Sequence, residues 1–267
     1  MPKVKVSDIS LQYETTGEGD PVLLVTGFGA DTMAWMLNLA PLAERYKVVT
    51  VDNRGMGLSD RPHTPYTIEM MADDTIALLR QLDLGPVHLV GHSMGGMISQ
   101  HVALKAPELL RSLVLMATSA RIPAPAEALI NLWSNILDKL GIEAHTDNVL
   151  IWTLSGPYVE ENWEIVQALR QMMLAHWAEI PLDPVCFRRQ GEAILKHQVL
   201  DRIGAIRTPT LVLGAERDIL TPPRNSEEIA RAIPGAELVV LKDVAHGLNI
   251  EDPGKFAEAL LGWLDRH

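Results

Sequence analysis

The sequence predicts an α/β fold: a mostly parallel, eight-stranded sheet with helices on both faces and a helical insertion interrupting it. Three observations carry the prediction. Short apolar runs such as Val22 to Val25, Val48 to Val51 and Leu113 to Met116 are each followed by a loop or a helix-period segment, the alternation of a parallel sheet buried on both faces. The stretch Leu84 to Gly96, LGPVHLVGHSMGG, passes from strand to helix through a tight turn with a serine at its tip. Between Arg121 and Gly204 the rhythm fails, and at Thr210 it resumes.

Taken in order, Lys3 to Val6 and Ile9 to Tyr13 alternate as two edge strands joined near Ser7-Asp8. Val22 to Val25 is the first buried strand and ends in Thr26-Gly27-Phe28-Gly29. A helix follows over Trp35 to Ala43, then the strand Val48 to Val51 and the loop Asp52-Asn53-Arg54-Gly55-Met56-Gly57. Ile68 to Leu82 is helical by period, with Ile68, Met71, Ile76, Leu79 and Leu82 near one face. The Val87, Leu89, Val90 strand leads into the Ser93 turn and its helix, and Leu113 to Met116 is the next strand. From Arg121 to Gly204 the chain reads as several helices, with Trp163, Val166, Leu169, Met173, Leu174 and Trp177 on one stripe. We expect residues 121–204 to be a lid inserted into a core of residues 1–120 and 205–267. The last elements are a strand over Thr210 to Gly214, a helix near Ser226 to Ala232, a strand over Glu237 to Leu241 and a helix over Pro253 to Leu264.

Composition narrows the function. With 267 residues and 47% hydrophobic content the chain can bury a large core as one domain with an insertion. Its 23 Lys and Arg against 34 Asp and Glu give a net charge of −11, and no basic run follows a phosphate backbone, which argues against nucleic acid. The single cysteine, Cys186, cannot form an intrachain disulfide, no Cys/His spacing suits a metal, and no cofactor motif is evident. No signal-peptide core opens MPKVKVSDIS, and no stretch approaches the ~20 apolar residues of a membrane span. The expectation is a soluble cytoplasmic protein acting on a small molecule, with neither nucleic acid nor membrane as partner. Association into a homo-oligomer is left open.

Gly91-His92-Ser93-Met94-Gly95 has the form G-x-S-x-G, in which a strained turn projects the serine hydroxyl and flanking glycines let strand and helix approach. A serine hydroxyl is a weak nucleophile and needs a base, usually a histidine oriented by a carboxylate. Of nine histidines, His246 lies in the short loop after the last strand, in Asp243-Val244-Ala245-His246-Gly247. His92 is a rival, although adjacent residues at a sharp turn point apart, and His63, His145, His176, His197 and His267 are expected on the surface or in the lid. For the acid, Asp218 lies four residues past Gly214, and Glu216, Asp243 and Asp252 are the alternatives. Both loops leave the carboxyl ends of parallel strands, where open α/β sheets bind ligands.

With the order Ser93, Asp218, His246, the chain resembles the α/β-hydrolase superfamily over residues 20–120 and from 208 to the end. The loop Asp52-Asn53-Arg54-Gly55, with Gly57 and Ser59-Asp60, resembles one frequent in that family, and Gly85 to Thr118 is similar to esterases and 3-oxoadipate enol-lactonases. The resemblance implies an oxyanion hole formed by the backbone amides of Phe28 and Met94. Many relatives have His-Gly where this chain has Thr26-Gly27. A serine at the turn excludes haloalkane dehalogenases and epoxide hydrolases, which need an aspartate there. The expected reaction is hydrolysis of small, largely apolar carboxylic esters through an acyl-enzyme. Enol-lactone hydrolysis, carbon-carbon bond hydrolysis of ring-cleavage products and a non-catalytic small-molecule receptor are the alternatives.

Overall fold

The structure is a computed structural model describing residues 2–267. In chain order its elements begin with β1 (Lys3–Val6), β2 (Ile9–Thr16), β3 (Asp20–Val25), α1 (Met36–Ala43), β4 (Tyr46–Val51) and α2 (Ile68–Leu82). There follow β5 (Val87–His92), α3 (Met94–Lys105), β6 (Leu110–Met116), α4 (Pro125–Thr153), α5 (Gly156–Glu161), α6 (Trp163–Glu179) and α7 (Pro184–Leu195). The chain finishes with β7 (Thr210–Ala215), α8 (Pro223–Ala232), β8 (Glu237–Leu241), α9 (Leu248–Glu251) and α10 (Pro253–Leu264).

The eight strands form one sheet in the order β1-β2-β4-β3-β5-β6-β7-β8. β2 is antiparallel to β1 and β4, and β4 through β8 are mutually parallel. β1 alone is the edge on its side, because β2 runs on to Thr16 and pairs with β4 through Tyr13 to Thr16. Strand alternation divides the core into two layers. Leu23 and Val25 of β3 pack with Met71, Leu78 and Ile98 on one face. Val22 and Leu24 pack with Leu42, Phe256, Leu260 and Trp263 on the other. α2 is delimited as its sequence suggests: the Thr67 hydroxyl accepts from Met70 N at 3.0 Å, and Asp83 closes it in the left-handed region at φ 46°.

The four helices α4 to α7 stand between β6 and β7. α4 is two helices joined at Gly141, whose φ of 84° and ψ of −174° break the helical run. The stripe expected on α6 is divided: Val166 and Trp177 are buried, but Trp163, the first residue of the helix, is 57% exposed. Among the described residues no helix is long and apolar enough to cross a membrane.

Candidate active site

The parallel strands β3, β5, β7 and β8 end on one edge of the sheet, and the loops leaving them converge there. Ser93 sits between β5 and α3 at φ 55° and ψ −116°, a conformation L-residues adopt only under constraint. The constraint is visible: Ser93 N donates to Met116 O at 2.9 Å, and Ser93 O accepts from Thr118 Oγ1 at 2.7 Å and Gly96 N at 2.9 Å. A Cβ on Gly91 would strike Gly95 O and Ser99 Oγ, and one on Gly95 would strike Val25 O, so both glycines are required by close approach.

Asp218, in the turn after β7, has a fully buried side chain. Its Oδ1 accepts from Leu220 N at 2.8 Å and Thr221 N at 2.9 Å; its Oδ2 accepts from Thr221 Oγ1 at 2.7 Å and faces His246 Nδ1 at 2.8 Å. Burial pushes the Asp218 carboxyl up, but His246 and the Thr221 hydrogen bonds outweigh it and hold the carboxyl below its ordinary value. Its form is therefore the carboxylate, which fixes the His246 proton on Nδ1 and leaves Nε2 as the acceptor. Ser93 and His246 line the same cavity without sharing a hydrogen bond in this geometry. Looser contacts of this kind are ordinary in unliganded hydrolytic sites.

The rival residues lie elsewhere. Asp243 is exposed on an ion pair with Arg217, Glu216 Oε2 accepts from Asp243 N at 3.1 Å, and Asp252 caps α10 by accepting from Lys255 N at 2.9 Å. His92 is tied differently: its Nε2 donates to the main-chain oxygen of His246 at 3.1 Å. Burial lowers its pKa to about 3, so the ring stays neutral. His92 thus joins the Ser93 turn to the His246 loop, a link that no short sequence pattern reveals.

Phe28 borders the cavity in the loop after β3, and Met94 opens α3. Among the described residues, neither amide donates to another protein group. The loop carrying Phe28 is anchored without the usual histidine: Thr26 Oγ1 donates to Ala30 O at 3.1 Å, and Asn53 Nδ2 donates to Thr26 O at 3.1 Å. Gln190 of α7, which the sequence did not single out, accepts from Gly29 N at 3.1 Å and donates to Arg54 O at 3.0 Å. A lone glutamine on a helix 161 positions from its partner leaves no readable signal.

The cavity has a volume of about 250 Å³. The insertion supplies Trp133, His145, Met173 and Trp177 to its wall, and among the described residues no lysine or arginine lines it. The arginines that could have faced an anionic substrate are paired elsewhere: Arg121 with Glu228, Arg170 with Asp147, Arg188 with Asp138 and Arg189 with Glu192. Trp152 packs against the cluster of Trp133, Leu137 and Phe187 and does not line the cavity. Away from it, donor atoms of His63, Asp183 and Cys186 lie within 4.8 Å of one another. Two of them pair, His63 Nε2 with Asp183 Oδ2 at 2.9 Å, and the Tyr66 hydroxyl donates to the Cys186 sulfur at 3.4 Å.

Comparison with known proteins agrees with this architecture. The family described as the alpha/beta hydrolase fold matches residues 20–141 and 167–253. The protein named "Putative carbamate hydrolase RutD" from Azorhizobium caulinodans is 31% identical over 263 residues, 98% of each chain. The crystal structure of the enol-lactonase from Burkholderia xenovorans LB400 is 27% identical with a TM-score of 0.88, covering 99% of this chain and 100% of the other. A thermophilic esterase from Thermogutta terrifontis is 29% identical with a TM-score of 0.87, covering 100% and 99%. The chain belongs to the alpha/beta hydrolase fold family, and its resemblance to the enol-lactonase branch extends over its full length. It is a hydrolase.

Proposed function

We propose that the protein is a cytoplasmic serine hydrolase of small, neutral, largely apolar carboxylic esters. The observation that carries the reading is the opening of Ser93 and of His246, which Asp218 holds from behind, onto one largely apolar cavity whose wall, among the described residues, has no lysine or arginine. In the proposed reaction His246 Nε2 takes the proton of Ser93 as its oxygen adds to the ester carbonyl. The Phe28 and Met94 amides stabilise the resulting oxyanion, each donor contributing about 3 kcal/mol to the lowering of the barrier. His246 then returns the proton to the departing alcohol, and water, activated by the same nitrogen, releases the acid and restores Ser93. Helices α4 to α7 act as a lid that shapes the acyl site.

A lactone or carbamate carbonyl would meet the same groups, and the similarities to an enol-lactonase and to a protein named as a carbamate hydrolase support these as second readings. A substrate with a free carboxylate fits less well, since burying that charge requires a cationic partner and the insertion arginines are engaged. Mass spectrometry after treatment with a fluorophosphonate tests the assignment. The adduct is expected on Ser93, and Ser93→Ala should lower kcat by roughly 10⁶-fold with little change in stability. Labelling of a different serine, or full activity in Ser93→Ala, would refute it.

A further inference from the structure

One polar side chain in the cavity wall has no part in the chemistry proposed above. His145, on α4, is 2% exposed and borders the cavity. Phe187 packs edge-on against its ring at 4.9 Å, and Phe187 lies 4.2 Å from the ring of Phe28, whose amide is assigned to the oxyanion. Nδ1 is sealed from solvent with no hydrogen-bond partner, and among the described residues Nε2 has none either. Burial lowers the pKa of His145 to about 4, so at neutral pH the ring is uncharged and carries a single N–H. An orphaned buried donor is rarer than an under-used acceptor, which favours the proton on Nε2, the nitrogen that is not sealed. The indole N–H groups of Trp133 and Trp177, in the same wall, are also buried without partners.

The sealed Nδ1 and the two indole groups lie out of a ligand's reach, which leaves His145 Nε2 as the unpaired atom of this ring that a substrate in the cavity can meet. We infer that His145 forms a specificity subsite for a second, uncharged oxygen on the substrate, its Nε2–H donating to a ketone or ether oxygen remote from the scissile ester. An anionic group is the wrong occupant, because the wall holds no lysine or arginine and includes Asp31. A plain hydrocarbon chain leaves the donor unpaired. This rests on the ester-hydrolase reading and names the substrate class within it.

The experiment compares p-nitrophenyl acyl esters bearing a ketone at the fourth, fifth or sixth carbon with ketone-free esters of equal length, together with one ester ending in a carboxylate. The wild type should favour at least one keto ester over its counterpart by roughly tenfold in kcat/KM, the scale of one buried hydrogen bond. His145→Phe should bring that ratio close to one, and His145→Gln, which keeps a donor, should retain part of it. Ratios near one throughout the wild-type series, a ratio unchanged in His145→Phe, or a preference for the carboxylate would overturn the subsite. Binding of the same pairs to Ser93→Ala, read by tryptophan quenching, gives the corresponding ratio in Kd without turnover. Absence of hydrolysis by the wild type therefore refutes the ester reading, whereas equal binding of the two members of every pair refutes the subsite.

Discussion

Arg54 and Arg170 each hold an aspartate through two guanidinium nitrogens, the first inside the sheet domain and the second on the helical insertion. Arg54 meets Asp74 at 2.6 and 2.8 Å with side chains 1% and 5% exposed, and reaches Asp8 at 3.0 Å. Arg170 meets Asp147 with side chains 20% and 48% exposed. Around the Arg54 loop the polar groups bind one another: Asp52 accepts from Thr32 N and Leu58 N, both at 2.9 Å, and Ser59 Oγ donates to Asp52 O. The insertion behaves otherwise, since among the described residues α4 to α7 contain half of the buried side-chain atoms that lack a hydrogen-bond partner. Unpaired buried groups are thus denser in the insertion than in the sheet domain, where Arg54 Nη1, Trp35 Nε1 and Ser226 Oγ are among those left without a partner.

The largest effect that sharpens this contrast is catalytic and belongs to the sheet loops. Asp218→Asn should preserve the fold, favour the wrong His246 tautomer and lower kcat by up to about 10⁴-fold, whereas Asp243→Asn should stay near wild type. Steady-state kinetics on a p-nitrophenyl ester separates the two. The reverse pattern would move the acid to Asp243.

Breaking the two ion pairs comes next. Arg54→Ala leaves Asp74 buried without its partner and should lower unfolding stability by about 3 to 5 kcal/mol. Arg170→Ala, on an exposed pair, should shift a denaturant midpoint too little to resolve from the wild type. Equal losses at both sites would mean that the insertion is as tightly integrated as the sheet.

A third measurement concerns pH. His88 in β5 shares a 2.8 Å hydrogen bond with Ser112 Oγ, which also accepts from Trp263 Nε1 at 3.1 Å. Burial lowers its pKa from 6.5 to about 4. Between those values the unfolded chain takes up a proton at this position that the folded one does not, so stability falls as pH decreases through the window. His88→Gln should remove one proton from that dependence, about 1.4 kcal/mol per pH unit, in unfolding curves at pH 6 and 5. An unchanged slope would show that other groups, such as His92 or His197, carry the acid sensitivity.

The same contrast explains what could be read from the sequence. Ile68–Leu82 and Pro253–Leu264 were legible to the residue because each is a helical pattern delimited by a cap or a proline, and Glu237–Leu241 because its apolar run is short and unbroken. β6 starts at Leu110, three residues earlier than the apolar run, because Arg111 pairs with Asp20 at the surface and Ser112 is a buried hydrogen-bond acceptor. The G-x-S-x-G pattern singled out Ser93, the loops after the last two strands Asp218 and His246, and the family resemblance alone Phe28; the sheet brings these loops to one edge. In the insertion, side chains answer to the cavity more than to a regular layer. Trp163 fits the stripe of α6 yet lies at its exposed start, and His145 and Gln190 gain their meaning only from partners distant in the chain.

The smallest effect tests whether the bend in the insertion matters. Gly141 lies in a region of φ and ψ that only glycine occupies comfortably, but a Cβ built there meets nothing within 4 Å. Strain is therefore the sole penalty for Gly141→Ala, about 1 to 2 kcal/mol if the kink persists. The chain can avoid that penalty by continuing the helix through residue 141, which alanine favours. This would redirect the second half of α4, including His145, relative to the cavity. Thermal unfolding together with KM distinguishes the outcomes. A lower Tm with unchanged KM means the bend is held by the rest of the fold. An unchanged or higher Tm with raised KM means that the helix has straightened and that the bend positions the cavity wall. If neither quantity moves, Gly141 has no role in shaping the site.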